Sequence, residues 1–234
     1  MTLLVKTIKL LISLLLIPVG IGLSRALYVL LAQVRVGSRL ELWFVCGLGA
    51  YALLFALGYR LQFLYVFGHE SVHALVSLVC GGSIRSFRVS EQSGRVATTK
   101  NNFLITLAPY FVPFYTLLLG LGFAAARYFA APLDRVTPLF LFLLGMSIAF
   151  HLFMTITALA TKQPDIIQQG RFFSLTLIYC VNIIIIALVI SGIFRHPGFP
   201  AFIQSSWHYT VGFCRWLSTG LSDIVGALSR YQKG

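Results

Sequence analysis

Charged residues are scarce in this chain, and acidic ones are the scarcest. Only 10% of the 234 residues are charged and 6 are acidic, whereas 58% are hydrophobic and the mean hydropathy is +0.88. In a typical soluble domain about a quarter of the residues are charged. The composition therefore excludes an ordinary soluble protein. It predicts an all-α polytopic membrane protein, whose length accommodates about six transmembrane helices with short connections.

Cysteine pairs, internal repeats and low-complexity segments are lacking as well. The 4 cysteines lie singly and mostly in apolar runs, so we interpret them as small core residues (Cys46, Cys80, Cys180 and Cys214). A net charge of +12 is compatible with nucleic-acid binding, but the Lys and Arg residues are spread over successive loops. This distribution favours a lipid bilayer with anionic headgroups as the partner, and no nucleic acid.

Long apolar runs predict the order of elements along the chain. Residues 1–60 are expected to form a domain of two transmembrane helices, and residues 61–194 a core domain with four further spans. Residues 195–234 carry apolar side chains at helical spacing, which predicts a C-terminal amphipathic helix lying on the membrane surface. The predicted spans are residues 3–31, 42–59, 61–80, 103–129, 137–160 and 172–194.

Two features interrupt the helical pattern of the core domain. Gly81-Gly82 ends one helix, and residues 83–100 are rich in Ser, Thr and Val without a helical period. This segment predicts a β-hairpin at the membrane surface, with its turn at Glu91-Gln92-Ser93-Gly94. Pro109 and Pro113 both fall in the fourth predicted span and predict a kinked or broken helix.

The residues with chemical potential concentrate in the third predicted span, at Phe67-Gly68-His69-Glu70-Ser71-Val72-His73-Ala74. His69 and His73 are four residues apart and share one helix face, so both imidazoles can reach one metal ion. Glu70 is placed to hold a metal-bound water and take its proton, as in the HExxH zinc peptidases. Titratable residues are costly in a lipid-spanning helix and indicate function there. The pattern predicts one Zn²⁺ per chain, with Glu70 as the catalytic base.

A catalytic zinc site has three protein ligands and one open position, so a third ligand is needed. Asp165 lies in a polar break after the fifth predicted span, on the side of the membrane where the motif helix ends. Irregular backbone can dip into a helix bundle at such a break. His151, within the fifth predicted span, lies at about the depth of the motif, and is the alternative as a ligand or as a hydrogen-bonding partner of one. The sequence favours Asp165 and leaves His151 open.

These motifs resemble the site-2 protease family of membrane-embedded zinc metallopeptidases. The resemblance covers residues 61–194 and is carried by the stretch around the two histidines, by Gly81-Gly82 and by Gly94-Arg95-Val96-Ala97-Thr98-Thr99. It implies His69, His73 and Asp165 as zinc ligands, Glu70 as catalytic base, and a cytosolic hairpin side. The family's aspartate often stands in Leu-Asp-Gly, whereas this chain has Pro164-Asp165-Ile166. We expect a compact form without a PDZ domain.

The resulting hypothesis is an intramembrane zinc metalloprotease that cleaves a transmembrane protein or peptide within or next to its membrane segment. The strand at residues 96–99 is expected to hold the unwound substrate by strand addition. Asn101 and Asn102 either donate hydrogen bonds to the substrate or cap the next helix, and capping is favoured.

Two other functions are compatible with the same residues. One is a non-catalytic membrane scaffold that has kept the protease fold. The other is a metal or proton carrier, which the lack of repeated halves disfavours. In every case we expect a multi-pass integral membrane protein, located in the cell membrane if the source is a bacterium.

Overall fold

The computed structural model describes residues 2–91, 93–129, 133–194 and 198–231, with side chains of the last helix described up to residue 226. The described chain is mostly helical, with one small antiparallel sheet. Its elements are α1 (Leu3–Gln33), α2 (Arg39–Ala56), α3 (Gln62–Val79), β1 (Ile84–Val89), β2 (Gly94–Thr98), α4 (Phe103–Leu107), a 3₁₀ turn (Ala108–Tyr110), α5 (Phe114–Phe129), α6 (Thr137–Leu159), α7 (Pro164–Gln169), α8 (Arg171–Ile193) and α9 (Phe199–Tyr231).

Four of the described helices, α1, α2, α6 and α8, are long and apolar enough to cross a membrane. The segments 103–110 and 114–129 pass the same test together, which gives up to five spans. These helices support a membrane protein, but they do not confirm the predicted number of six. Helix α3, the third predicted span, is not among the candidates. Its polar residues, which include His69, Glu70 and His73, lower its mean hydropathy.

The fourth predicted span is broken, as its two prolines predict. Helix α4 passes into the 3₁₀ turn that contains Pro109, and α5 begins just after Pro113. The two halves meet at 82°. The amide groups of Phe111 and Val112 both donate to the carbonyl of Ala108, at 3.0 and 2.7 Å, so the turn is closed by its own backbone.

Residues 36–174 form one compact unit, which contains the histidine motif. Within it, α2 begins with a capping box in which the Ser38 and Glu41 side chains each accept a backbone N–H of the other residue. Helices α2 and α6 approach closely because Gly47 and Gly145 lie where a Cβ atom would overlap the backbone of the facing helix. The fully buried Tyr51 packs edge-on against Phe150, at 5.2 Å between ring centroids.

The predicted hairpin is present in the same unit. Strands β1 and β2 pair antiparallel, with Phe87 opposite Val96 and Arg88 opposite Arg95, and with an irregularity between Ile84 and Ser86. Gln92, at the predicted turn, lies outside the described residues. The hairpin and the 3₁₀ turn both pack against α3, and α4 packs against α7. The motif helix is thus surrounded by short elements.

Residues 1–35 and 175–234 form the second compact unit. Helix α9 is a single long amphipathic helix, as predicted, and its first half packs on α1, where Phe202 is only 2% exposed. Gly22 permits this approach, because a Cβ atom there would lie 2.7 Å from the carbonyl oxygen of Ser206. The predicted domain boundaries are residues 60 and 194, whereas the two units divide the chain after residues 35 and 174. Helix α2 belongs to the motif unit, and most of α8 packs with α1.

Candidate functional site

Helix α3 brings the two motif histidines together on one face. His69 and His73 occupy successive turns, and their Nε2 atoms lie 3.2 Å apart. Each side chain is 13% exposed. The two nitrogens that bind metals most readily therefore point to the same place, as the spacing of four predicts.

Asp165 joins them from a distant part of the chain. Its Oδ2 atom lies 3.6 Å from Nε2 of His69 and 3.5 Å from Nε2 of His73. One potential ligand atom from each of these three residues falls within 4.8 Å of the others. Helix α7 presents this carboxylate in its first turn, directly after Pro164. Among the described residues His151 is not part of this group, so the structure assembles the set of three that the sequence favours.

Helix α7 is held in place by its neighbours in the unit. The buried Gln169 side chain donates to the hydroxyl of Thr106 in α4 at 3.3 Å. The Ser174 hydroxyl donates to the carbonyl of Ile166 at 3.3 Å. Gly170, with φ +94°, ends α7 in a conformation that favours glycine and lets α8 start at once. The polar break is therefore an ordered element that fixes the position of Asp165.

Further hydrogen bonds orient the side chains of this cluster. Nδ1 of His73 lies 2.8 Å from the carbonyl oxygen of Ile105 and donates its proton to it, so Nε2 is the nitrogen that faces His69 and Asp165. The hydroxyl of Tyr110 donates to Oδ2 of Asp165 at 3.2 Å. Tyr110 is 1% exposed and lies in the 3₁₀ turn. Sequence reasoning missed it, because a tyrosine in an apolar stretch carries no signal of its own.

The charge state of Asp165 follows from the same contacts. Burial alone would raise the pKa of its carboxyl group. The contacts with the His69 and His73 imidazoles outweigh this effect and hold the pKa well below its usual range. Asp165 is therefore a carboxylate at neutral pH. Two imidazole nitrogens and one carboxylate form a donor set of the kind that binds catalytic zinc, so the residues fit the ion that the resemblance implies.

Glu70 faces a cavity of about 350 Å³ that the three metal-ligand candidates also line. The other walls come from β2, from the start of α4 and from α7. Gly94, the first residue of β2, packs directly against the Glu70 side chain, and a Cβ atom there would lie 2.9 Å from its Cδ. The absence of a side chain at this position gives the carboxylate its room.

Strand β2 presents an unpaired edge to this cavity. Within the described residues it pairs only with β1. The amide of Thr99 donates to Ser83 on the β1 side, and the carbonyl of Ser93 accepts from Ser90 on the same side. Along a strand, the backbone N–H and C=O groups of successive residues point alternately to one side and to the other. The groups of the even-numbered residues between Ser93 and Thr99 therefore point away from β1. These residues are Gly94, Val96 and Thr98, and all three line the cavity.

The two asparagines before α4 have different positions. The Asn102 side chain accepts from the amide of Ile105 and caps the helix, which matches the favoured capping role. Asn101 lines the cavity instead. Its Oδ1 accepts from the Thr106 hydroxyl at 2.8 Å, which leaves the amide NH₂ group as the part that can donate into the cavity.

His151 lies on α6. It lines a second, much smaller cavity together with His69, Ser147 and Tyr115. Asp165 and His73 do not line this second cavity.

Comparisons with protein-family models, with curated proteins and with solved structures find no match to this chain.

Proposed function

We propose that this chain is an intramembrane zinc metalloprotease, which hydrolyses a peptide bond within or next to a transmembrane segment of a membrane protein. One observation carries the proposal. His69, His73 and Asp165 converge to within 4.8 Å, on the wall of a cavity that also contains Glu70 and the unpaired edge of β2. Metal ligands, a carboxylate base and a binding edge for an extended peptide therefore share one space.

The metal would be held by Nε2 of both histidines and by the Asp165 carboxylate. A zinc ion at this position supplies a Lewis acid for the scissile carbonyl and lowers the pKa of a water molecule toward neutrality. Tyr110 and the Ile105 carbonyl orient the ligands, and such partners typically change metal affinity by roughly 10–100-fold.

Glu70 is the residue that moves the proton. Its carboxylate lines the same cavity as the metal-ligand candidates, beside His69 in the sequence. It accepts a proton from the attacking water and returns it to the amine of the leaving peptide. Gly94 keeps the space next to this carboxylate free of a side chain.

The substrate is a peptide in extended conformation. A transmembrane helix hides its peptide bonds in its own hydrogen bonds, so cleavage requires that a short segment unwinds. The outward N–H and C=O groups of Gly94, Val96 and Thr98 can pair with such a segment, as in other cases of strand addition. The backbone N–H and C=O groups of the unwound segment thereby find hydrogen-bond partners inside the cavity. This pairing does not depend on the side chains of the segment.

Purified wild type and Glu70→Gln test the proposal, with Glu91→Gln in the exposed hairpin turn as the matched control. Zinc per chain, cleavage of a model transmembrane peptide and zinc flux into proteoliposomes are measured for all three. We expect about one zinc in each protein, no cleavage by Glu70→Gln, and normal cleavage by Glu91→Gln.

The same measurements separate the two alternative functions. A non-catalytic scaffold shows no cleavage in either the wild type or the Glu70 variant. A carrier shows zinc-dependent flux in place of cleavage. Cleavage that persists at the wild-type rate in Glu70→Gln rules out the proposed base.

A further inference from the structure

Helix α1 carries an arginine within its apolar length. Arg25 is exposed, and within the described residues it has no acidic partner. Its guanidinium group lies over two tyrosine rings instead, 5.7 Å from the centroid of Tyr28 and 5.9 Å from that of Tyr209 on α9. Aromatic rings hold a cation in place but leave its charge uncompensated. A charge on such an apolar helix is costly unless it meets an opposite charge, so Arg25 is suited to bind an anion.

An apolar groove begins beside Arg25. It lies between α1 and α8 within one compact unit and has a volume of about 230 Å³. Ser24 is the last residue of α1 that lines it, and Tyr28 lies one turn further along the same face of the helix. Because the guanidinium group lies over the ring of Tyr28, its charge is at this end of the groove.

The polarity of the groove changes along its length. At the end that carries the guanidinium group, the hydroxyl groups of Ser24 and Tyr179 lie 2.7 Å apart. Toward the other end the α1 wall is formed by Ile21, Ile17 and Leu16, over about 12 Å of helix. A cation, two hydroxyl groups and a hydrocarbon wall thus follow one another. This order matches the phosphate, the glycerol esters and an acyl chain of a phospholipid.

The position of Arg25 along α1 suits a lipid phosphate. Helix α1 is long and apolar enough to cross a membrane, and no charged residue separates Lys9 from Arg25. These two cations lie about 24 Å apart along the helix axis, whereas the hydrocarbon core of a bilayer is about 30 Å thick. Long basic side chains extend toward the nearer headgroups. Arg25 therefore reaches the phosphates of one leaflet, and the groove lies at the depth of the acyl chains of that leaflet.

We propose that this groove binds one anionic phospholipid, such as phosphatidylglycerol, with its phosphate on Arg25 and one acyl chain between α1 and α8. The acyl chain covers Ile17 and Ile21, which the groove leaves 40% and 41% exposed. The headgroup neutralises the guanidinium charge. A zwitterionic headgroup binds less well, because its own cation is repelled by Arg25. The site depends neither on the metal-ligand candidates nor on peptide-bond cleavage.

The test uses the full-length purified chain, freed of bound lipid in detergent, and native mass spectrometry to measure binding. The probes are dioleoylphosphatidylglycerol, dioleoylphosphatidylcholine and, as a phosphate without acyl chains, glycerol 3-phosphate. Arg25→Gln removes the charge and Arg25→Lys keeps it, with Arg35→Gln, at an exposed position just after α1, as the matched control. Ile17→Trp fills the groove. Ile12→Trp is its control, since Ile12 is also on α1 and 40% exposed but does not line the groove.

We expect the wild type to prefer phosphatidylglycerol over phosphatidylcholine by roughly 5–100-fold, the range for one basic side chain that meets a lipid phosphate. Arg25→Gln should lose this preference, and Arg25→Lys should restore most of it. Ile17→Trp should weaken the binding of both lipids by a similar factor. Arg35→Gln and Ile12→Trp should bind both lipids like the wild type, and glycerol 3-phosphate should bind far more weakly than either lipid.

Four results would overturn the inference. They are a preference for phosphatidylglycerol that survives in Arg25→Gln, lipid binding by Ile17→Trp that equals that of Ile12→Trp, binding of glycerol 3-phosphate as tight as that of the lipid, and a dimer that Ile17→Trp alone disrupts. The last result would assign the groove to a second copy of the chain. Equal affinity of the wild type for the two lipids overturns the inference as well, whether or not the variants fold.

Discussion

The unpaired edge of β2 gives the sharpest test of how substrate is held. Replacing Val96 by proline removes one N–H group that points away from β1, into the cavity. The hairpin itself loses no ladder hydrogen bond by this change. Val96→Ala keeps the backbone and shortens the side chain. Ala97→Pro removes an N–H group that points toward β1, and it should damage the hairpin.

The expected fall in kcat/KM follows from the free energy of one hydrogen bond. A backbone hydrogen bond contributes a net of about 0.5–1.5 kcal/mol, and a buried carbonyl left without its partner costs about 1–3 kcal/mol. Because about 1.4 kcal/mol corresponds to a factor of ten, kcat/KM of Val96→Pro should fall by roughly 5–100-fold. Val96→Ala should stay within about threefold of the wild type, since its loss is confined to one partly buried side chain.

Cleavage of a model transmembrane peptide gives kcat/KM, and amide hydrogen exchange of residues 84–98 reports the state of the hairpin. We expect Val96→Pro to keep the exchange protection of β1 and lose cleavage, whereas Ala97→Pro should lose both. If Val96→Pro cleaves like Val96→Ala with its hairpin intact, the β2 edge does not hold the substrate.

Three further substitutions test the metal site and the base. His73→Ala should lose most of its zinc, measured per chain after purification, and unchanged zinc would exclude the site. Asp165→Asn should weaken zinc binding and abolish cleavage at equal folding, and full zinc with normal cleavage would exclude this carboxylate as a ligand. Gly94→Ala places a methyl group against the Glu70 side chain and 2.7 Å from Val66, so kcat should fall while zinc content stays at the wild-type level; equal loss of both would contradict this reasoning.

The histidine motif and its helix could be predicted from the sequence because they are local. Two histidines four residues apart must share a face of any α-helix, and that geometry needs no tertiary information. That Asp165 can lie near the motif helix also followed from counting the predicted spans. The contact distance did not, because it depends on α7, a helix of 6 residues whose position is set by Gln169 and Thr106.

The number of membrane spans was harder to predict from the sequence, because it depends both on the composition of each helix and on how that helix packs. The motif that identifies α3 also makes it less apolar than its neighbours. The two prolines at 109 and 113 predicted a broken helix, but not the angle of 82° between its halves. The turn formed there brings Tyr110 to Asp165. These residues are 55 positions apart, so no local sequence pattern predicts their contact.

The packing of the terminal helices likewise could not be predicted from the hydrophobic periodicity of the sequence. The amphipathic character of α9 was evident, yet its apolar side chains could face lipid or protein. Gly22 decides this for the first half of α9, because the lack of a side chain on α1 lets the two helices approach closely. A single glycine among the 20 in the chain carries no such information before its neighbours are known.

The register of the hairpin has a consequence for its response to ionic strength. Arg88 and Arg95 stand directly opposite each other on β1 and β2, and both are exposed. Like charges in directly opposed positions destabilise a strand pair, by about 0.2–1 kcal/mol, and an isolated hairpin has little stability to spare. Dissolved salt screens this repulsion over a Debye length of about 10 Å at 0.1 M. The hairpin should therefore become more stable as salt is added, unlike a structure held together by ion pairs.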